Sequence, residues 1–350
     1  MASTLKDVAR LAGVSVKTVS NVVNGYPHVS PEVRGRVEAA VAQLGYRPNV
    51  FARTLRTGRT GVLALVLPDS DVPYANDLAR EVVRAAGSRG YRVVIEQAGP
   101  DDGRAAPALA DARAMPVDGV LVTAPVAPAG LVEALAAAGR PVVLVGGEAR
   151  DGHCDRVTVD VARAAEDAVG HLLRAGRRRI AAIGAYPMES DATAPRTAGH
   201  HRALRRAGLA PVPGHPLPAS RHRRADGYRA AHALLAQPDR PDAIFCYSDP
   251  LAIGAMRAAF DAGLRVPADV AVMGIGDIEE GRYSRPTLST VCIDTGFLAR
   301  EAVARVTARI DRPDAAVAVV TAPHTVLPRE STGALSDARD RRLDRARSGK

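Results

Sequence analysis

Cysteine is scarce in this 350-residue chain. Cys154, Cys246 and Cys292 are odd in number, far apart and set in apolar runs, which excludes a disulfide framework and reads as reduced core thiols. No apolar run reaches the length of a membrane span, and no charged segment followed by an apolar core opens the chain. A membrane protein and an exported one are therefore not expected, and the reading is cytoplasmic. Enzyme signatures are missing as well: there is no Gly-x-x-x-x-Gly-Lys-Ser/Thr, no Gly-x-Ser-x-Gly and no Cys-x-x-Cys. Gly274-Ile275-Gly276 falls short of a dinucleotide fingerprint, and the adjacent His200 and His201 point apart on a helix, a poor start for a metal site. We expect no catalysis, no metal and no cofactor.

Acid is what the first sixty residues lack. They hold nine basic side chains (Lys6, Arg10, Lys17, Arg34, Arg36, Arg47, Arg53, Arg56, Arg59) against Asp7, Glu32 and Glu38, which is +6 of the chain's +9. A basic head on a nearly neutral body is the electrostatic footprint of a modular DNA binder. Within it, Leu5, Val8, Ala9 and Leu11 have the spacing of one helix face, Gly13 supplies a turn, and Ser15 caps a second helix, Val16–Val23. Val19, Val22 and Val23 would pack inward, leaving Val16, Lys17, Ser20 and Asn21 outside. Such a helix fits the DNA major groove. Ser30 and Pro31 start a third helix, which runs to about Leu44 and stops at Gly45. A short helix-capable stretch follows over residues 48–60, too short to be stable alone.

From Gly61 the texture alternates strand and helix. Strands are expected at Val62–Leu67, Arg92–Glu96, Gly119–Thr123, Val142–Gly146, Ile180–Gly184, Ala243–Tyr247 and Val270–Gly274. Helices are expected at Tyr74–Arg89, Leu131–Ala138, Ala162–Arg174, Ala198–Ala207, Tyr228–Leu235 and Leu251–Ala262. Alternation with apolar strands predicts a doubly wound α/β body of two lobes, parting near Val159-Asp160-Val161, with ligands at the strand C-termini between them. The first lobe takes in about 61–160 and part of 291–325; the second takes in about 161–290 and the final segment. The last twenty or so residues, Ser331 to Lys350, are small, charged and aperiodic and read as a disordered tail without a leucine heptad, drawn as a separate segment over 333–350.

Several separated motifs then converge. They include Lys6-Asp7-Val8-Ala9 with Gly13-Val14-Ser15, Gly45-Tyr46-Arg47-Pro48-Asn49, Ala52-Arg53-Thr54-Leu55-Arg56, Arg196-Thr197-Ala198-Gly199 and Ser248-Asp249. Further on stand Arg265-Val266-Pro267, Pro286-Thr287-Leu288-Ser289-Thr290 and Arg329-Glu330-Ser331-Thr332. From about Thr4 to Thr332 the chain resembles the lac repressor/galactose repressor family of bacterial transcription regulators. The resemblance implies a three-helix helix-turn-helix head (1–47), a hinge helix (48–60) and a periplasmic-binding-protein-like effector domain of two doubly wound parallel sheets (61–332). It implies a homodimer on double-stranded operator DNA, by default a repressor, held on the nucleoid through that binding. Val16, Lys17 and Asn21 would read bases, and Ser15, Thr18, Ser20 and Asn24 would meet phosphate. Asn49, Arg53, Leu55 and Arg56 match the hinge, Leu55 as the wedge between central base pairs. Asn21 replaces a commoner arginine or histidine and suits adenine.

At the effector cleft the resemblance implies Asp69, Tyr74, Arg196, Ser248, Asp249 and Asp277. Here the chain departs from the family's sugar binders. Val143-Leu144-Val145 runs into Gly146-Gly147 where a carboxylate is usual, and Gly274-Ile275 runs into Gly276-Asp277 where Asp-Asp is usual. Val72 replaces the asparagine before Pro73. An effector other than a simple neutral sugar is expected, sugar-like or a modified or anionic metabolite, larger or carrying an anion for Arg196. The alternatives are that other residues take over the sugar contacts or that no small molecule binds. The rival readings are a soluble small-molecule binding protein or an enzyme on the same two-lobed fold.

Overall fold

The computed structural model describes residues 3–23, 26–46, 59–67, 73–97, 116–123, 139–146, 154–185, 194–212, 216–219 and 222–333. The expected helix Leu131–Ala138, the hinge stretch up to Gly58 and the tail after Gly333 lie outside them, as do Asn24, Asn49, Arg53, Leu55, Arg56 and Asp69. Contacts divide the chain into two units, residues 1–61 and 62–350.

The first unit is built from α1 (Leu5–Ala12), α2 (Val16–Val23) and α3 (Pro31–Leu44). Thr4 and Asp7 form a reciprocal capping box at the start of α1, satisfying two backbone donors that a helix start leaves orphaned. Gly13 ends α1 at φ 64°, a left-handed conformation glycine adopts without cost. Val8, Val19 and Val37, one from each helix, are fully buried against one another. One expectation needs correcting: Leu11 is exposed and Ala12 takes the buried position, because the inward stripe continues from Val8 and Ala9 to Ala12.

The second unit holds two six-stranded sheets. In the first lobe the order is β11 (Val319–Ala322), β5 (Asp155–Val159), β4 (Val142–Val145), β3 (Gly119–Thr123), β1 (Val62–Leu67), β2 (Arg92–Gln97), all parallel. In the second it is β12 (His324–Leu327), β10 (Ser289–Ile293), β9 (Ala271–Ile275), β8 (Ala243–Cys246), β6 (Ile180–Ala185), β7 (Leu217–Pro218), with only β12 antiparallel. Helices α4 (Pro73–Gly87) and α10 (Thr295–Asp311) cover one face of the first sheet. In the second lobe α5 (Val161–Arg174) and α6 (Ala194–Arg206) lie on one face, and α7 (Arg224–Leu235) and α8 (Asp249–Asp261) on the other. A short α9 (Glu279–Tyr283) follows β9.

Buried strand runs such as Leu63–Leu67 and Ile180–Ile183 have apolar partners on both faces, as a parallel sheet requires. The seven expected strands are present. Two helices begin earlier than expected, α6 at Ala194 and α7 at Arg224, since Pro195 and the Arg-Ala-Asp run fit a first turn. The tail expectation is corrected at its start: Ser331 and Thr332 sit in a buried 3-10 turn. There the Ser331 hydroxyl receives the Ser289 N–H at 2.8 Å and donates to Val272 O at 2.7 Å.

The chain passes between lobes at three places: Asp160 between β5 and α5, Asp294 between β10 and α10, and Pro323 between β11 and β12. Val159 pairs with Ala322 and Ile293 with His324, so the three crossings stand side by side with Pro323 in the middle. Asp160 and Asp294 each cap the helix they open, accepting the N–H of Arg163 and of Phe297 at 2.7 Å.

Candidate functional site: a DNA-reading head and an inter-lobe cleft

In the head, Ser15 accepts the Thr18 N–H at 3.0 Å and shares a hydrogen bond with the Thr18 hydroxyl at 2.8 Å, fixing the first turn of α2. Burial of Val19 and Val22 sets the roll of this helix, so that Ser15, Val16 and Lys17 are exposed, with Ser20 and Asn21 half-exposed. No acid lies in its first turn. The free amides, the dipole and Lys17 thus face outward together, a surface suited to phosphate and base edges. Tyr26 closes onto the far end of the helix, its N–H bonded to Asn21 O at 2.9 Å and its carbonyl held by Arg34 at 2.8 Å.

The cleft is framed by the C-terminal ends of the strands. After β8 come Tyr247, Ser248 and Asp249. The Tyr247 hydroxyl bonds Thr197 of α6 at 2.8 Å. Ser248 Oγ is buried and has no hydrogen-bond partner among the described residues. Asp249 is completely buried; its oxygens accept from the Thr290 hydroxyl at 2.6 Å and the Ile278 N–H at 2.9 Å. Burial outweighs those two bonds and pushes its pKa up to about 6. Gly274 makes room for it, since a Cβ there would lie 2.1 Å from Asp249 Oδ1.

Asp277, at φ 53°, is gripped by Arg282 at 2.7 Å and by Arg329, while its N–H bonds the Thr290 hydroxyl at 3.3 Å. Internal donors thus fill the oxygens of both carboxylates, which fix backbone and arginines rather than offer free acceptors.

Tyr74, from the first turn of α4 in the first lobe, faces Arg196 of α6 and Cys292 of β10. Burial pushes its hydroxyl pKa up, against a downward pull from Arg196 and with a further push from Cys292. Burial, and then Asp277 beside it, push the Cys292 thiol up to about 11. The charge of Arg196, from the second lobe, is thus felt at Tyr74 of the first. His222, not among the expected site residues, is half-buried at φ 50° and bonds Gly184 O at 2.8 Å beside the end of β6. Its only sequence signal was a histidine inside the basic run Arg221-His222-Arg223-Arg224.

Residues 4–49 match the profile described as "Bacterial regulatory proteins, lacI family", and residues 169–332 match "Periplasmic binding protein-like domain". Catabolite control protein A of Priestia megaterium is 32% identical over 94% of this chain and 99% of its own length. This chain belongs to the LacI family. The ribose operon repressor of Haemophilus influenzae is 33% identical, covering 94% of this chain and 98% of its own. Among solved structures, the lac repressor dimer bound to operator and the anti-inducer ONPF matches with a TM-score of 0.82 and 27% identity, over 95% of this chain and 99% of that one. These relatives are transcriptional regulators rather than enzymes, and so is this LacI-family protein. Among the described residues no helix is long and apolar enough to cross a membrane, and no cluster of His, Cys, Asp or Glu could hold a metal. His200 lies in the core, its Nε2 3.1 Å from Ile180 O.

Proposed function

We propose that the protein is a repressor that binds a near-palindromic operator as a homodimer, each head reading one half-site. The observation that carries this is the outward face of α2, where exposed Val16 and Lys17 and half-exposed Asn21 stand clear of the head's core. Val16, Lys17 and Asn21 read bases, and Ser15, Thr18, Ser20 and Asn24 meet phosphate. Asn49, Arg53, Leu55 and Arg56 form the hinge, with Leu55 wedging the central step of the site. Dimerisation is supported by two aromatic side chains on the second lobe, Phe260 (72% exposed) and Tyr283 (80% exposed), which a lone chain would leave in water.

The small-molecule effector lies between Tyr74 of one lobe and Arg196, Ser248 and His222 of the other, with Asp249 and Asp277 as positioning groups; Asp69, which the family resemblance adds, is a further candidate contact. Because Gly146 follows β4 where a carboxylate is usual and the carboxylates of Asp249 and Asp277 are engaged, the cleft suits a modified or anionic metabolite better than a simple neutral sugar. By preferring one lobe arrangement it shifts operator affinity.

Selection from a random duplex library with the full-length protein tests the DNA reading, at stated salt. A two-fold symmetric site with a deformable centre supports it, and failure to enrich any site, with or without cell extract, overturns it. Leu55→Ala should weaken binding to the selected site more than to random DNA; equal losses would remove the wedge. Calorimetry with unmodified monosaccharides and their phosphorylated or carboxylated forms tests the effector class, and micromolar binding of an unmodified monosaccharide would sink it.

A further inference from the structure

The two edges of the first-lobe sheet are guarded differently. At one edge, β2 exposes Val94 and Ile95 but sets Arg92 and Glu96 beside them, charges of the kind that keep an open strand from pairing with a neighbour. At the other, the run Val317-Ala318-Val319-Val320-Thr321-Ala322 has no charge at all. Arg156 N bonds Ala318 O at 2.9 Å, and Val319 stands opposite Arg156, so Ala318, Val320 and Ala322 bond inward to β5. Alternation turns the N–H and C=O of Val317, Val319 and Thr321 outward, and among the described residues no hydrogen bond reaches them. Val317 is 45% exposed and Val319 51%.

This edge is also held rigid. Arg309 of α10 bonds Asp155 through Nε at 3.0 Å and Nη2 at 2.8 Å, and Asp155 receives the Ala318 N–H at 2.9 Å. The same guanidinium binds the carbonyls of Pro313 (3.0 Å), Ala315 and Ala316 (3.3 Å), fixing the turn that leads into the strand. Pro323 ends the run, having no N–H to offer.

From this geometry we infer that the β11 edge is a docking strand for a second copy of itself, joining LacI-type dimers through an antiparallel β11–β11 pair centred on Val319. Unpaired ladder groups call for a strand rather than a helix or a small molecule. A copy of the same edge meets the requirement: a two-fold axis through Val319 sets Val319 against its own copy and Val317 against Thr321. The facing side chains of the hydrogen-bonded pairs are then all β-branched, Ala318 stands opposite Val320 between them, and no like charges meet. Three outward residues on each side exchange about six hydrogen bonds. A longer foreign strand would gain nothing past Pro323. The contact is small, forms between free molecules at tens of micromolar, and strengthens between dimers held on neighbouring DNA sites, where local concentration is high.

Disulfide trapping in the full-length protein tests both the contact and its register. In a hydrogen-bonded antiparallel pair the facing Cα atoms are about 5.5 Å apart, within disulfide reach. Val319→Cys alone should cross-link on oxidation. Val317→Cys alone should not, but should do so when mixed with Thr321→Cys. Wild-type protein, which retains Cys154, Cys246 and Cys292, sets the background. At tens of micromolar, wild-type particles should have at least twice the mass of Val319→Lys particles. No cross-link above background at Val319→Cys, equal cross-linking of all three variants alone, or equal masses for wild type and Val319→Lys would each overturn the inference.

Discussion

Asp249 is an acid placed where water does not reach, and its two hydrogen bonds only partly offset that burial. Its pKa of about 6 stands above the ordinary 3.8. The group therefore favours the folded state fully below about pH 4 and loses that contribution as pH rises through 6, about 3 kcal/mol in all. Asn at this position can keep the Ile278 bond and donate to Thr290. In urea titrations from about pH 4 to pH 7, wild type should lose stability relative to Asp249→Asn; parallel curves would show that the carboxyl does not titrate there. At the DNA surface, Asn21→Ala should relax preference at one base per half-site by about 1–3 kcal/mol. The slope of log affinity against log salt should stay unchanged, because no phosphate contact is removed. A change of slope without a change of preference would reassign Asn21 to the backbone.

Between elements, the tightest contact is the α7–α8 crossing. A Cβ on Gly254 would lie 2.0 Å from Arg224 O, and one on Gly227 would lie 2.1 Å from Leu251 O. Backbone cannot step aside as a side chain can, so Gly254→Ala should cost about 1–3 kcal/mol or more, read as a lower urea midpoint with the fold retained. Neither glycine announced this role in the sequence, since a glycine inside a helical pattern has no visible partner until the helices are docked.

What the sequence did make legible was local: caps such as Ser15 and Ser30, the apolar runs of the central strands, and the inward valines of the head. Elements defined by distant pairing were harder. Strands β5, β10, β11 and β12 mix polar residues such as Asp155, Thr290, Thr321 and His324 with apolar ones, and take their identity from neighbours far along the chain. Helix α10, with Leu298, Ala302, Val306 and Ile310 on one stripe, carried a readable signal that was missed. At the cleft, the expected residues Ser248, Asp249 and Asp277 follow the C-terminal ends of their strands. That Asp277 is held by two arginines depended on Arg329, more than fifty residues away, being folded back beside it.

At the scale of the whole molecule, the apolar rings on the second lobe set a test of assembly. Phe260→Glu should shift sedimentation toward a single 36.6 kDa chain and weaken operator binding, with the fold of the single chain retained because the side chain contributes little to the core. Unchanged sedimentation would place the dimer contact elsewhere.

The three crossings at Asp160, Pro323 and Asp294 have a kinematic consequence. Pins set in a line act like the knuckles of a door hinge: they leave one easy rotation, about the line itself, and resist the others. Whatever occupies the cleft can then report only a single number, the angle between the lobes. A readout with one coordinate does not depend on the chemistry that sets it. The lining of the cleft can therefore be exchanged for another ligand's needs while everything beyond the hinge keeps the same instruction set.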